Sequence, residues 1–135
     1  MAYKIQEIEG IGPANGQRLQ DAGLTTTDAL LKACGDPKGR RETAAKTGLN
    51  ESQLLKWANM ADLMRVSGIG QEFSQLLEAV GVDTVKELRN RNADNLAAKM
   101  AEVNAQKKLT RALPSVKTVA KWVEQAKTMS PAISY

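Results

Sequence analysis

The chain has 135 residues, which allows one domain or two very small ones sharing a core. Apolar residues make up 42% and charged residues 25%, the balance of a globular chain; with five aromatics the core is aliphatic, which disfavours a β-sandwich. The net charge of +4, from 19 basic and 15 acidic residues, permits a nucleic-acid partner without demanding one.

Taken in chain order, Pro13 suits the first turn of a helix running to about Ala22, with Gly23 as its stop. Thr26 or Thr27 caps a second, short helix ending near Cys34-Gly35. Asp36-Pro37-Lys38-Gly39 reads as a turn, followed by a short helix from Arg41 to Thr47 that Gly48 stops. Asn50-Glu51-Ser52-Gln53 has the form of a capping box and opens a long helix from Glu51 to about Val66. Further on, the signals predict helices from Gln71 to Val80, from Thr84 to Arg91 behind Asp83, and from Asn95 to Ala105. Ser115 caps a last helix reaching about Met129, and residues 130–135 read as a loose tail. No alternating apolar pattern is long enough for a strand, so the predicted fold class is all-α.

The order of residues repeats. Ile8-Glu9-Gly10-Ile11-Gly12 through Leu19 and Ala22-Gly23-Leu24-Thr25-Thr26 matches Val66-Ser67-Gly68-Ile69-Gly70 through Leu77 and Val80-Gly81-Val82-Asp83-Thr84, 58 residues on. Ala44-Ala45-Lys46 resembles Ala97-Ala98-Lys99, and Leu54-Leu55-Lys56-Trp57-Ala58 resembles Val119-Ala120-Lys121-Trp122-Val123. The expected organisation is a first repeat over 1–66, a second over 67–129, and the tail, with the repeats packed pseudo-symmetrically into one helical domain.

Both Gly-Ile-Gly segments resemble the helix-hairpin-helix signature, in which an apolar residue precedes a Gly-apolar-Gly hairpin and a small residue follows four positions later. Gly16 and Ser74 stand at that small position. The tandem arrangement resembles the paired units of DNA repair, ligation and recombination proteins. The whole chain is similar to an uncharacterised bacterial family of short tandem helix-hairpin-helix proteins.

The resemblance implies sequence-independent DNA binding. Glycines let the backbone approach a phosphate closely, and the helix N-terminus that follows presents free amides and a positive dipole end. The expected phosphate-binding residues are Gly10, Ile11, Gly12 and Ala14 in the first hairpin, and Gly68, Ile69 and Gly70, with the Glu72 amide, in the second. Lys107, Lys108 and Arg111 add side-chain cations. Relatives of this kind carry Lys or Arg just after the second glycine; here Pro13-Ala14-Asn15 and Gln71-Glu72-Phe73 stand there, and Glu9 and Glu72 repel an anion. The alternative is a protein-interaction or scaffolding module that keeps the hairpins without DNA affinity. Lys38, Arg40, Arg41, Lys46, Arg89 and Arg91 read as solvated charges near helix ends, or as further phosphate contacts.

Catalysis finds no support. The acids are scattered without metal spacing, no nucleotide-phosphate loop is present, and with no histidine Cys34 has no partner base. No metal or cofactor is expected. Asp21, Asp28 and Asp62 read as ordinary surface or capping acids, and Trp57 and Trp122 as core. The lone cysteine, the opening residues without a secretory apolar run, and the lack of a membrane-length window predict a cytoplasmic protein.

Overall fold

The computed structural model describes residues 3–135, and among them it is all-helical: eight α-helices, one short 3-10 turn at Ile5–Glu7, and no strand. A single isolated bridge joins Lys4 to Thr26. Helix α1 spans Gly12–Asp21, α2 Thr27–Cys34, α3 Pro37–Thr47 and α4 Glu51–Leu63. Helix α5 spans Gln71–Ala79, α6 Val85–Leu88, α7 Ala93–Lys107 and α8 Val116–Lys127.

Side-chain caps set most of the helix starts. Thr26 Oγ1 accepts from the Ala29 amide at 3.1 Å, Thr84 Oγ1 from Glu87, Asn92 from Asn95, and Ser115 from Thr118. Asn50 and Gln53 bond reciprocally, as the capping box predicts. Asp36 accepts from the Gly39 amide at 2.6 Å, so Asp36-Pro37 opens α3 instead of forming a separate turn, and α3 starts four residues earlier than expected. The same two residues serve both structures: an acidic N-cap before a proline at the first helical position is a turn that continues as helix. The next-to-last helix is likewise capped by Asn92 and starts at Ala93, two residues before the expected Asn95.

Helices α1 and α5 end alike. The Gly23 amide donates to Gln20 O and the Leu24 amide to Leu19 O, each at 2.9 Å. At positions 58 residues on, Gly81 donates to Glu78 O and Val82 to Leu77 O, at 3.0 and 2.9 Å. These bonds tie up carbonyls that the helix end leaves free.

Two apolar clusters form the interior. The first gathers Ile5, Ile8, Ile11, Leu19, Leu30, Leu54 and Trp57; the second gathers Val66, Ile69, Leu76, Leu77, Leu96, Met100, Val119 and Trp122. Helix α4 stands between them, giving Met60, with Met64 just past its end, to the first and Leu63 to the second. Both tryptophans are core residues.

Polar bonds join the two regions. Asp62, expected at the surface, is buried on α4, where its carboxylate accepts from the Val85 amide at 2.8 Å and pairs with Arg65. The Val85 amide is itself buried, so this carboxylate satisfies a donor that has no helical partner. Residues 130–135, expected to be loose, instead run back over the first region. Ser134 donates to Gly35 O at 2.7 Å, Arg40 and Arg65 donate to Ser134 O and Ser130 O, and Ala132 and Ile133 pack against the first cluster. Arg40 is therefore buried and bound to two carbonyls, those of Cys34 and Ser134, and not one of the solvated charges of its neighbourhood.

Candidate functional site

The two glycine turns lie side by side. Glu9, in the first, accepts at 2.7 Å from Gln71 Nε2, the first residue of α5 after the second turn. Tyr3 Oη reaches the Ile69 carbonyl at 3.5 Å. Of the eight α-helices, α1 and α5 alone have no side-chain hydrogen bond at the N-cap. Their first-turn amides therefore have no side-chain acceptor at the N-cap, at neighbouring points of the molecule.

The structure sorts the hairpin residues. Ile11 and Ile69 are buried and their amides point inward, to Ile8 O at 3.4 Å and Val66 O at 3.1 Å. Each of these two amides, expected as a phosphate donor, is thus already bonded within its own turn. The donors left to an anion are those of Gly12, Ala14 and Asn15 in the first turn, since Pro13 has none. In the second they are Gly70, Gln71, Glu72 and Phe73.

The glycines themselves divide further. Gly10, Gly12 and Gly68 have φ of +90°, +72° and +92°, whereas Gly70 sits at φ −110°, ψ −155°, extended backbone open to any residue. A Cβ at Gly10, Gly12 or Gly70 would meet open space. At Gly68 it would press on Trp122 Nε1 at 3.1 Å, so this glycine serves close packing over the core tryptophan. Trp122 in turn stacks at a tilt against Phe73, with centroids 5.3 Å apart.

Arg111 is not free. Its amide, Nε and Nη2 all bond to the Glu72 carboxylate, at 2.9, 3.1 and 2.9 Å, clamping the α7–α8 connection to the first turn of α5. The Arg111 amide and guanidinium hold the Glu72 carboxyl below the usual carboxylate range, so it is charged at neutral pH. The acid expected to repel a phosphate therefore already has a cationic partner. A groove beside it is lined by Tyr3, Gly70, Gln71, Phe73 and Ala112.

Lys107 and Lys108 are exposed on the same connection, with Lys108 in the left-handed conformation at φ +52°. The connection is braced from within: Asn104 exchanges two hydrogen bonds with Thr110, and Thr110 Oγ1 donates to Ala112 O.

The positive charge of the chain is concentrated in one segment. Between Val103 and Val123 there are five basic residues and no acid, against fourteen basic and fifteen acidic elsewhere. The whole surplus of the chain thus sits in this one segment, whose exposed Lys117 and Lys121 the sequence reading passed over. An acid-free run was the available signal, and the whole-chain charge of +4 averages it away.

Among the described residues no group of three or more His, Cys, Asp or Glu side chains is placed to hold a metal ion, and no helix is long and apolar enough to cross a membrane. Burial raises the Cys34 thiol above its ordinary pKa, which keeps it protonated.

No curated protein and no solved structure matches the chain. One family model does, over residues 9–129, from the first glycine turn to the end of the last helix. The chain belongs to the family described as domain of unknown function DUF4332.

Proposed function

We propose that the chain is a tandem helix-hairpin-helix protein, two related repeats packed together, that binds duplex DNA without catalysis and without reading its sequence. The observation that carries this reading is the pairing of the two uncapped helix N-termini. Six helices satisfy their first turn with a side chain; the two behind the glycine turns do not, and a 2.7 Å bond sets those turns next to each other. Free amides at a helix N-terminus bind anions through hydrogen bonds and the helix dipole. Two such points side by side suit successive phosphates, a contact that positions DNA but carries no base information. The acid-free segment at Lys107 and Lys108 supplies long-range attraction beside the second turn. The cytoplasm is the place of action this reading implies.

A protein partner is the second reading, and Glu9 and Glu72 favour it: each turn carries a carboxylate, and Arg111 is spent on one of them. A Gly70→Glu variant separates the two. Its backbone accepts a side chain without strain, so the fold is retained while a third carboxylate faces the anion site. In a fluorescence-anisotropy titration with a labelled duplex, DNA binding predicts about tenfold weaker affinity for the variant. Equal affinity of the two proteins, or no binding by either, removes the hairpins as a DNA site.

A further inference from the structure

The α7–α8 connection has a property that phosphate binding at the hairpins leaves unexplained. Leu113 and Val116 are 48% and 46% exposed, two of the three large apolar side chains that the described residues leave in water. Both lie inside the acid-free, five-cation segment. They are not on a slack loop. The Asn104–Thr110 bonds, the Arg111–Glu72 clamp and the Ser115 cap fix the connection on both sides of Leu113, and Pro114 stiffens its tip.

We infer that this connection is a wedge for duplex DNA: Lys107, Lys108 and Lys117 hold the backbone while Leu113, with Val116 behind it, enters the minor groove at a deformable base step. The inference deepens the DNA-binding reading above and rests on it. The charge fits a polyanion, and the clamp to Glu72 puts the wedge beside the amides of α5. A rigidly held apolar tip among cations is what opening a base step requires, since the tip must not fold back when the step resists. An anionic bilayer offers the same charge, but two side chains are too little apolar surface to hold a chain on it. The inference also predicts a preference: a nicked duplex, which bends at little cost, binds more tightly than an intact one.

The test measures affinity for a nicked and an intact duplex, and the end-to-end distance of the duplex by energy transfer, for the unaltered chain and for Leu113→Ser, Lys117→Gln and Gly70→Glu. Leu113 is half in solvent, so the serine variant keeps the helical circular dichroism of the parent. The expected result is that Leu113→Ser loses about fivefold in affinity for the nicked duplex, the effect of burying the exposed half of one leucine. It also loses the bend, while its salt dependence is unchanged. Lys117→Gln makes the salt dependence shallower by about one contact. A Leu113→Ser variant that binds and bends DNA like the parent overturns the wedge. If Gly70→Glu still weakens binding in that case, the hairpin reading survives alone. If Gly70→Glu has no effect while Leu113→Ser does, the wedge stands and the hairpins fail. Binding to phosphatidylserine vesicles, lost in Leu113→Ser and without DNA binding by the parent, assigns the surface to a membrane and overturns the inference.

Discussion

The Gly10–Gly12 turn and the Gly68–Gly70 turn feed helices that end with the same pair of carbonyl bonds, yet their surroundings differ in donors, backbone and charge. Behind the first, Pro13 removes one donor, Gly12 sits in left-handed backbone, and Glu9 has an amide nitrogen as its partner, not a cation. Behind the second, all the first-turn amides are present, Gly70 is extended, and Glu72 is paired with Arg111. The second turn also adjoins the segment that holds the chain's charge surplus. On the proposed reading, the two glycine turns set where an anion sits, and neighbours distant in sequence make the second place the stronger. The second turn is expected to carry most of the binding.

The largest expected effect comes from removing the support of the second turn. Trp122 is buried beneath Gly68, and Trp122→Ala costs about 4 kcal/mol of stability by urea denaturation, the usual range for emptying a large core site. DNA binding is lost with the fold. Next is Asp62→Ala, which strands the buried Val85 amide and frees Arg65; about 3 kcal/mol is expected. A cost below about 0.5 kcal/mol would mean that the tie between the two regions is replaceable by water.

The glycine pair sharpens the comparison. Gly12→Glu forces a side chain into left-handed backbone and loses about 1 kcal/mol of stability, whereas Gly70→Glu is close to neutral in thermal melting. For DNA affinity the order reverses, with Gly70→Glu the more harmful. Equal losses from both would break the account of an unequal pair.

The smallest effect belongs to Glu72→Gln. The folded-state pKa of Glu72 is depressed, so its pairing with Arg111 is complete above the ordinary carboxylate range and fades as pH falls through the lower folded value. Near neutral pH the glutamine variant releases Arg111 and removes a repelling charge, and duplex affinity rises about two- to fivefold with a steeper salt dependence. Toward acid, as Glu72 of the parent protonates, the two proteins converge.

Much of the architecture was legible because local signals carry it. Thr26, Asn50 and Ser115 cap where their residue types and spacing say they should, and Gly23, Gly48 and Gly81 follow helix ends. What was not legible depends on partners far along the chain. Asp62 looks like any helix-surface acid until Val85 is brought to it. Arg40 reads as one of a solvated cluster until Cys34 and Ser134 close around it. Glu72 and Arg111 are 39 residues apart, and no local pattern in either neighbourhood announces their bond. At the candidate site the turns were placed by their glycines, but the inward aim of the Ile11 and Ile69 amides follows from burial that spacing alone does not show.

The measurement that tests the central claim most directly is a salt titration of the unmodified protein binding a labelled duplex. With three to five phosphates engaged by the α7–α8 lysines and their neighbours, the logarithm of the association constant should fall against the logarithm of salt with a slope of about −3 to −5. No binding at about 50 mM salt, or an affinity indifferent to salt, would contradict the claim that this surface holds the DNA backbone.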